Sequence, residues 1–507
     1  MKWFRKILLK RATFVFIAMA VQLIVIIAAL LEFLDTFYIF YAVSIVLSTA
    51  AVIWILNDNS NPAYKLAWII PILIFPIFGG LFYLFFGRIR LSKSLKMEMK
   101  ASADRIGPIR SQESTLEALE ATNPQAARQS RYLSTGAQSP LWNRTFTEYL
   151  PTGEIAFDRL SEELKKAERF IFLEYFIIEE GVMWEAILDI LSEKARCGVD
   201  VRVMYDDFGC SAKLPPGYDH RLEALGIKCA VFNPMKPFLS SNINHRDHRK
   251  IAVIDGSVGF TGGLNLADEY INRVVRFGHW KDSAIMLKGD AVWSLTLMFL
   301  KIWSHIKGEE ADHLRFKPVF AGTGSDGFVQ PFGDSPLDDE PVGENVYLNL
   351  IGQARDYLYI TTPYLIIDNE MLTAFALAAK SGVDLRIITP HIPDKWYVHA
   401  VTRANYKALI NSGVRIYEYT PGFIHSKTFV ADDEYGVVGT INLDFRSLFL
   451  HFECGVWMYD SGSIAAMKND FLAILNVSAE VTPEELDRQK LYQKAAGWML
   501  RVFSPLL

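Results

Sequence analysis

His248, Lys250, Asp255 and Asn265 recur in the same register as His425, Lys427, Asp432 and Asn442. In each set the lysine stands 2 residues, the aspartate 7 and the asparagine 17 after the histidine. Chance does not produce such a register twice in one chain. Between lysine and acid runs an apolar stretch, residues 251–254 and 429–431, that reads as a short buried strand. Residues i and i+2 of a strand share a face, so each copy aims an imidazole and an ammonium at one point, a nucleophile or proton donor beside a fixed positive charge. That pairing suits phosphoryl transfer. Together, the two copies supply one histidine to attack phosphorus, another to protonate the leaving oxygen, and two lysines plus two asparagines to hold the anionic oxygens. No metal or cofactor is called for. Asp255 and Asp432 stand at strand-to-turn junctions, where a direct role in the chemistry and a turn cap that accepts backbone N–H bonds are both open.

Both copies, with Gly262-Gly263 and Gly439-Thr440 ahead of each asparagine, fit the HxKxxxxD motif of the phospholipase D superfamily. The chain resembles that superfamily over nearly its whole length, most strongly over residues 169–453. Within it the chain is similar to the bacterial cardiolipin synthases, because the second copy continues Leu443-Asp444-Phe445-Arg446-Ser447 and because membrane-spanning sequence precedes the domain. The resemblance implies a ping-pong mechanism through a phosphohistidine on His248, with His248, Lys250, Asp255, His425, Lys427 and Asp432 as catalytic residues. It also implies that Asn265, Asn442, Asp282 and Glu453 bind phosphate or orient the histidines. Asp282 lies 34 residues past His248 and Glu453 lies 28 past His425; each would fix an imidazole tautomer and stabilise imidazolium.

The elements that must position these residues repeat as well. Residues 170–178 echo 357–367, 198–204 echo 382–388, and 226–232 echo 413–419, in identical order. Each half therefore reads as strand, helix, strand, helix, strand and then the motif strand. The fold class is α/β: two homologous phospholipase D-type halves, mixed sheets flanked by helices, packed with pseudo-twofold symmetry so that the motif strands meet at one cleft. The expected boundaries are a membrane anchor at 1–90, a connector at 91–147, a first half at 148–320, a linker at 321–342, a second half at 343–480 and an amphipathic C-terminal helix at 481–507. About ten extra residues in 233–244 precede the first motif and are placed to border the substrate entrance.

Five basic residues, Lys2 to Arg11, precede a charge-free run at 12–31, and a second apolar run follows at 37–56. These read as a transmembrane hairpin with the basic end cytoplasmic, hence a multi-pass membrane protein with a cytoplasmic catalytic domain. The third apolar run, 66–86, carries Pro71, Pro76, Gly79 and Gly80. A re-entrant or interfacial segment and a third crossing are both open. The basic cluster from Arg88 to Lys100 suits either anionic lipid headgroups or a solvated face. The apolar residues of the last helix (Leu491, Ala495, Trp498, Met499, Val502) suit either a docked helix or one lying against the bilayer.

With 507 residues, 51% of them hydrophobic, the chain needs no staples, and its four cysteines show no metal-binding or disulfide spacing. The net charge of −5, with no basic run beside either motif, argues against a nucleic acid partner. A membrane anchor and a phosphodiester-exchange site together favour phosphatidylglycerol as substrate. Hydrolysis by a phospholipase D, a phosphatidylethanolamine donor and a non-catalytic lipid-binding scaffold remain alternatives, and the sequence does not fix an oligomeric state.

Overall fold

The computed structural model describes residues 38–58, 60–75, 113–235, 244–308, 313–317, 326–337, 340–488 and 491–506, with isolated positions before 38 and at 83 and 97. The first half contributes β1 (Thr145–Leu150), β2 (Phe170–Tyr175), β3 (Asp200–Asp206), β4 (Lys228–Phe232), β5 (Lys250–Ile254), β6 (Val258–Gly262), β7 (His279–Lys281) and β8 (Ala284–Gly289). The second contributes β9 (Phe328–Asp334), β10 (Tyr357–Thr361), β11 (Asp384–Pro390), β12 (Arg415–Tyr419), β13 (Gly422–Ile424), β14 (Thr428–Ala431), β15 (Tyr435–Gly439), β16 (Glu453–Tyr459) and β17 (Ser478–Glu480). One sheet runs β1-β8-β6-β5-β2-β3-β4, and the other runs β9-β16-β15-β14-β10-β11-β12 with β17 added at the end. Position for position the two orders match, and the motif strands β5 and β14 are central in each.

Alternation along the strands sorts the core into layers. Phe170, Phe172, Ile251 and Val253 face a central core shared by both halves, which also takes Tyr357, Tyr359, Val430 and the helices Val292–Lys307 and Gly462–Leu475. Ile171, Leu173, Ala252 and Ile254 face the first half's outer helices, and Leu358, Ile360, Phe429 and Ala431 face the second's. The halves are also stitched through main chain: β7 pairs in parallel with β13, and Asp247 bridges to Phe452.

Three expected boundaries move. Residues 328–334, placed in the linker, form edge strand β9, paired along its length with β16. Helices Glu113–Thr122 and Pro124–Gly136, placed in the connector, pack Leu119, Ala126, Ala127 and Leu133 into the second half's core. The first half starts at Thr145 rather than 148, because β1 pairs with β8.

The first expected span, 12–31, lies outside the described residues but for isolated positions, as do 236–243 of the loop before the first motif. Helix Tyr38–Leu56 has 19 residues, about 28 Å at 1.5 Å per residue against a hydrocarbon core of about 30 Å. Among the described residues no helix is long and apolar enough to cross a membrane. Helix Pro62–Ile74 contains Pro71 and ends before Pro76, because a residue preceding proline avoids the helical region.

Asp255 and Asp432, expected among the catalytic residues, instead secure the sheets. Each follows its motif strand at positive φ, 53° and 54°, in a turn that short polar side chains tolerate. The Asp255 carboxylate accepts from the N–H groups of Glu168, Arg169 and Phe170 at 2.7–2.9 Å, and that of Asp432 from Arg355, Asp356 and Tyr357 at 2.8–2.9 Å. Those donors open β2 and β10, and the acids lie five strand residues, about 16 Å, from the lysines. Replacing either aspartate with alanine is expected to lower unfolding free energy by about 1–3 kcal/mol, measured by denaturant titration, with turnover per folded molecule retained.

Candidate active site

The site lies where each half reaches into the other. Just ahead of β5, the His248 N–H donates to the Phe452 carbonyl at 2.9 Å; just ahead of β14, the His425 N–H donates to the Lys281 carbonyl at 2.7 Å. The side chains cross in the same sense. His248 Nδ1 lies 2.9 and 3.0 Å from the two Glu453 oxygens, and His425 Nδ1 lies 2.7 Å from Asp282 Oδ2. Each imidazole is thus held by the acid of the opposite half. An ionised carboxylate only accepts, so Nδ1 carries the hydrogen in both rings and Nε2 keeps its lone pair.

Both carboxylates are 0% exposed, and each is further braced. Thr440 Oγ1 donates to Glu453 Oε2 at 2.5 Å, and the Ser283 N–H donates to Asp282 Oδ1 at 2.9 Å. Burial alone would raise both acids, but the imidazoles they face and the nearby lysines outweigh it and hold them below the usual carboxylate range. Burial, followed by the lysine charges, pushes His425 down to about 4; burial likewise dominates in taking His248 down to about 3. Lys250 falls to about 8 and Lys427 to about 7, again chiefly by burial. The Lys250 charge is felt at both imidazoles, and each lysine feels both acids. The six groups therefore form one electrostatic unit. Lys250 and Lys427 each donate to the carbonyl of their own motif histidine.

The two asparagines are not equivalent. Asn265 Oδ1 accepts from the Ile177 N–H at 2.9 Å and its amide donates to the Tyr270 hydroxyl at 2.7 Å, so its side chain is engaged in holding the loop after β2. Asn442 Oδ1 is buried and takes no hydrogen bond.

Neighbours that escaped the sequence reading include Trp280, His451 and Thr440. Trp280 lies with its ring centroid 5.3 Å from that of His425, and His451 lies 5.6 Å from His248. They occupy corresponding places, since Trp280-Lys281-Asp282 aligns with His451-Phe452-Glu453; that alignment was the available signal. Thr440, the third, was visible only as the Gly-Thr variant of Gly-Gly. His248, His451 and Glu453 offer ligand atoms within 4.8 Å of one another, the grouping among the described residues with metal-binding potential. Glu453 there is already committed to His248.

The cardiolipin synthase, phospholipase D-like domain model matches residues 160–276 and 347–475, and the phospholipase D-nuclease N-terminal model matches 46–88. A cardiolipin synthase of Geobacillus kaustophilus is 37% identical, covering 89% of this chain and 90% of its own. One of Halalkalibacterium halodurans is 34% identical with the same coverage. Among solved structures, the phosphatidylserine synthase of Haemophilus influenzae superposes with a TM-score of 0.57 over 75% of this chain and 98% of its own; at 15% identity that likeness speaks for the fold alone.

Two measurements follow from the geometry. A Cβ at Gly263 would stand 2.0 Å from Asp282 Oδ1, so Gly263→Ala is expected to displace the acid from His425 and lower kcat roughly 100-fold. The pH profile of kcat/KM, which reports the free protein, should fall on the acid side only near about pH 3, where His248 gains a proton, and should decline as pH rises above about 4, where His425 must take its proton from solution, more steeply through about 7 and 8, where Lys427 and Lys250 lose theirs. An acid limb near 6.5 would contradict the buried, neutral imidazoles.

Proposed function

The chain belongs to the cardiolipin synthase family of the phospholipase D superfamily, and on that footing we propose that it joins two phosphatidylglycerol molecules into cardiolipin with release of glycerol. A cardiolipin synthase is a phosphatidyltransferase that acts on phospholipids at a membrane. Phosphatidylglycerol suits both roles, because one phosphodiester replaces another and no external energy source is required.

His248 Nε2 attacks the phosphorus of the first lipid. His425 Nε2, which has taken up a proton from solution as the anionic lipid bound, gives it to the glycerol oxygen as that oxygen's bond to phosphorus breaks, and glycerol leaves a phosphatidyl group on His248. The terminal hydroxyl of the second phosphatidylglycerol then gives its proton to His425 and attacks phosphorus; the phosphorus–nitrogen bond breaks, and as cardiolipin leaves His425 returns its proton to solution, so both histidines are neutral again. Lys250, Lys427 and Asn442 hold the non-bridging oxygens, whose charge grows in the transition state. Glu453 and Asp282 keep the imidazoles in the reactive tautomer and stabilise them when cationic. The crossed carboxylate–imidazole pairs carry this reading, because they present two Nε2 atoms to ground shared by two lysines.

The anchor is read as residues 1–90, which hold the protein at the membrane with helices Tyr38–Leu56 and Pro62–Ile74 among their elements, leaving the catalytic halves in the cytoplasm. The test is to incubate the full-length protein in liposomes of phosphatidylglycerol labelled at phosphorus. The expected products are cardiolipin and glycerol, with label on a His248 peptide after an alkaline denaturing quench, in which a phosphorus–nitrogen bond survives. Label on His425 would reverse the two roles, and phosphatidic acid as the main product would replace transfer by hydrolysis.

A further inference from the structure

Helix Leu491–Val502 keeps its apolar side in the open. Leu491 is 83% exposed, Trp498 67%, Met499 66% and Val502 42%; at 100° per residue these four and Ala495 form one stripe. The opposite side is the docked one. A Cβ at Gly497 would stand 3.0 Å from the Ala400 carbonyl and 3.4 Å from Ala404 Cβ, and Leu500 packs against the cluster of Val398, Val401 and Phe445. Lys494 and Arg501, seven residues apart, run along one border of the stripe. An apolar face rimmed by cations is the composition of a helix that lies in a bilayer surface.

The surface does not stop at this helix. The turn Ser504–Leu506 that follows it seats Leu506 against Ile55, Trp68, Ile69 and Ile72 of the N-terminal helices, on which Leu66, Leu73, Ile74 and Phe75 are also exposed. In the other direction the helix packs on Trp396–Ile410, whose first residue, Trp396, is 69% exposed. The loop before Trp396 hydrogen-bonds to β13 through the Ile392 N–H and the Gly422 carbonyl, and β13 leads directly to His425. Exposed apolar residues thus lie on packed elements that link the anchor to the approach to the site.

We propose that Leu491–Val502 rests in the surface of the phospholipid bilayer, with Trp396 as a second contact, and turns the approach to the site toward the lipid. This rests on the reading of the site as one that acts on bilayer phospholipid. The anchor already keeps the protein at the membrane, so the helix sets orientation.

The test uses the full chain with Cys197→Ser, Met499→Cys and an environment-sensitive fluorophore on the new thiol, reconstituted into phosphatidylglycerol liposomes. The expected result is a blue-shifted emission, quenched by spin-labelled lipid and protected from aqueous iodide. Free quenching by iodide overturns the proposal. So does protection that appears equally without lipid and coincides with crosslinking between copies, which would assign the face to a second chain. In parallel, Trp498→Asp with Met499→Asp should lower kcat/KM on liposomal phosphatidylglycerol about tenfold or more, and leave it unchanged on short-chain phosphatidylglycerol dissolved as monomers. Equal losses on both substrates would make the helix merely structural. If the unsubstituted protein forms no cardiolipin from either substrate, the proposed reaction fails, while the fluorophore still reports where the helix lies.

Discussion

Two buried carboxylates, each lent by one half to the imidazole of the other, hold this molecule's function together. Glu453 and Asp282 have no contact with solvent, and an ionised acid in such a place is tolerated only when paired and hydrogen-bonded. Two ammonium groups balance two carboxylates, so the buried site is close to neutral with both imidazoles uncharged. Entry of a phosphodiester anion makes the site more negative and thereby favours protonation of one imidazole, which is what departure of an alkoxide requires. The electrostatics that keep the histidines neutral in the empty site also let the substrate charge one of them.

The pseudo-twofold is close in the sheets and broken around the chemistry. Arg249 pairs with Glu174 in the buried layer beside the first motif; the second half has Ser426 and Thr361 there, joined hydroxyl to hydroxyl at 3.0 Å. Gly263 makes room for the shorter acid, Asp282, whereas Thr440 donates to the longer one, Glu453. A tryptophan flanks one imidazole and a third histidine flanks the other. Two copies of one framework thus surround their imidazoles differently.

Much of this was legible in the residues themselves. The shared register of His248 and His425 located the site, and the echo of 170–178 in 357–367 located the sheets, because a period-two pattern survives wherever both faces of a strand are buried. Pairing across the halves was not legible. Glu453 follows His425 in the chain yet binds His248, and spacing along a chain says nothing about which half a strand's end will face. Strand β9 was hidden by its composition: Gly and Pro around Pro331 suggest a linker, but at a sheet edge a proline is tolerated because no neighbour needs its missing N–H. Asp255 and Asp432 misled for the opposite reason. They belong to the motif that carries the chemistry, but their part in it is to tie down the first turn of a strand.

The bond from His248 to Glu453 spans 205 residues and that from His425 to Asp282 spans 143. During synthesis the N-terminal half emerges first, with its histidine, lysine and asparagine but without the acid that orients its imidazole. An unfinished chain therefore lacks the oriented imidazole, and the site is complete only once β16 has joined the second sheet.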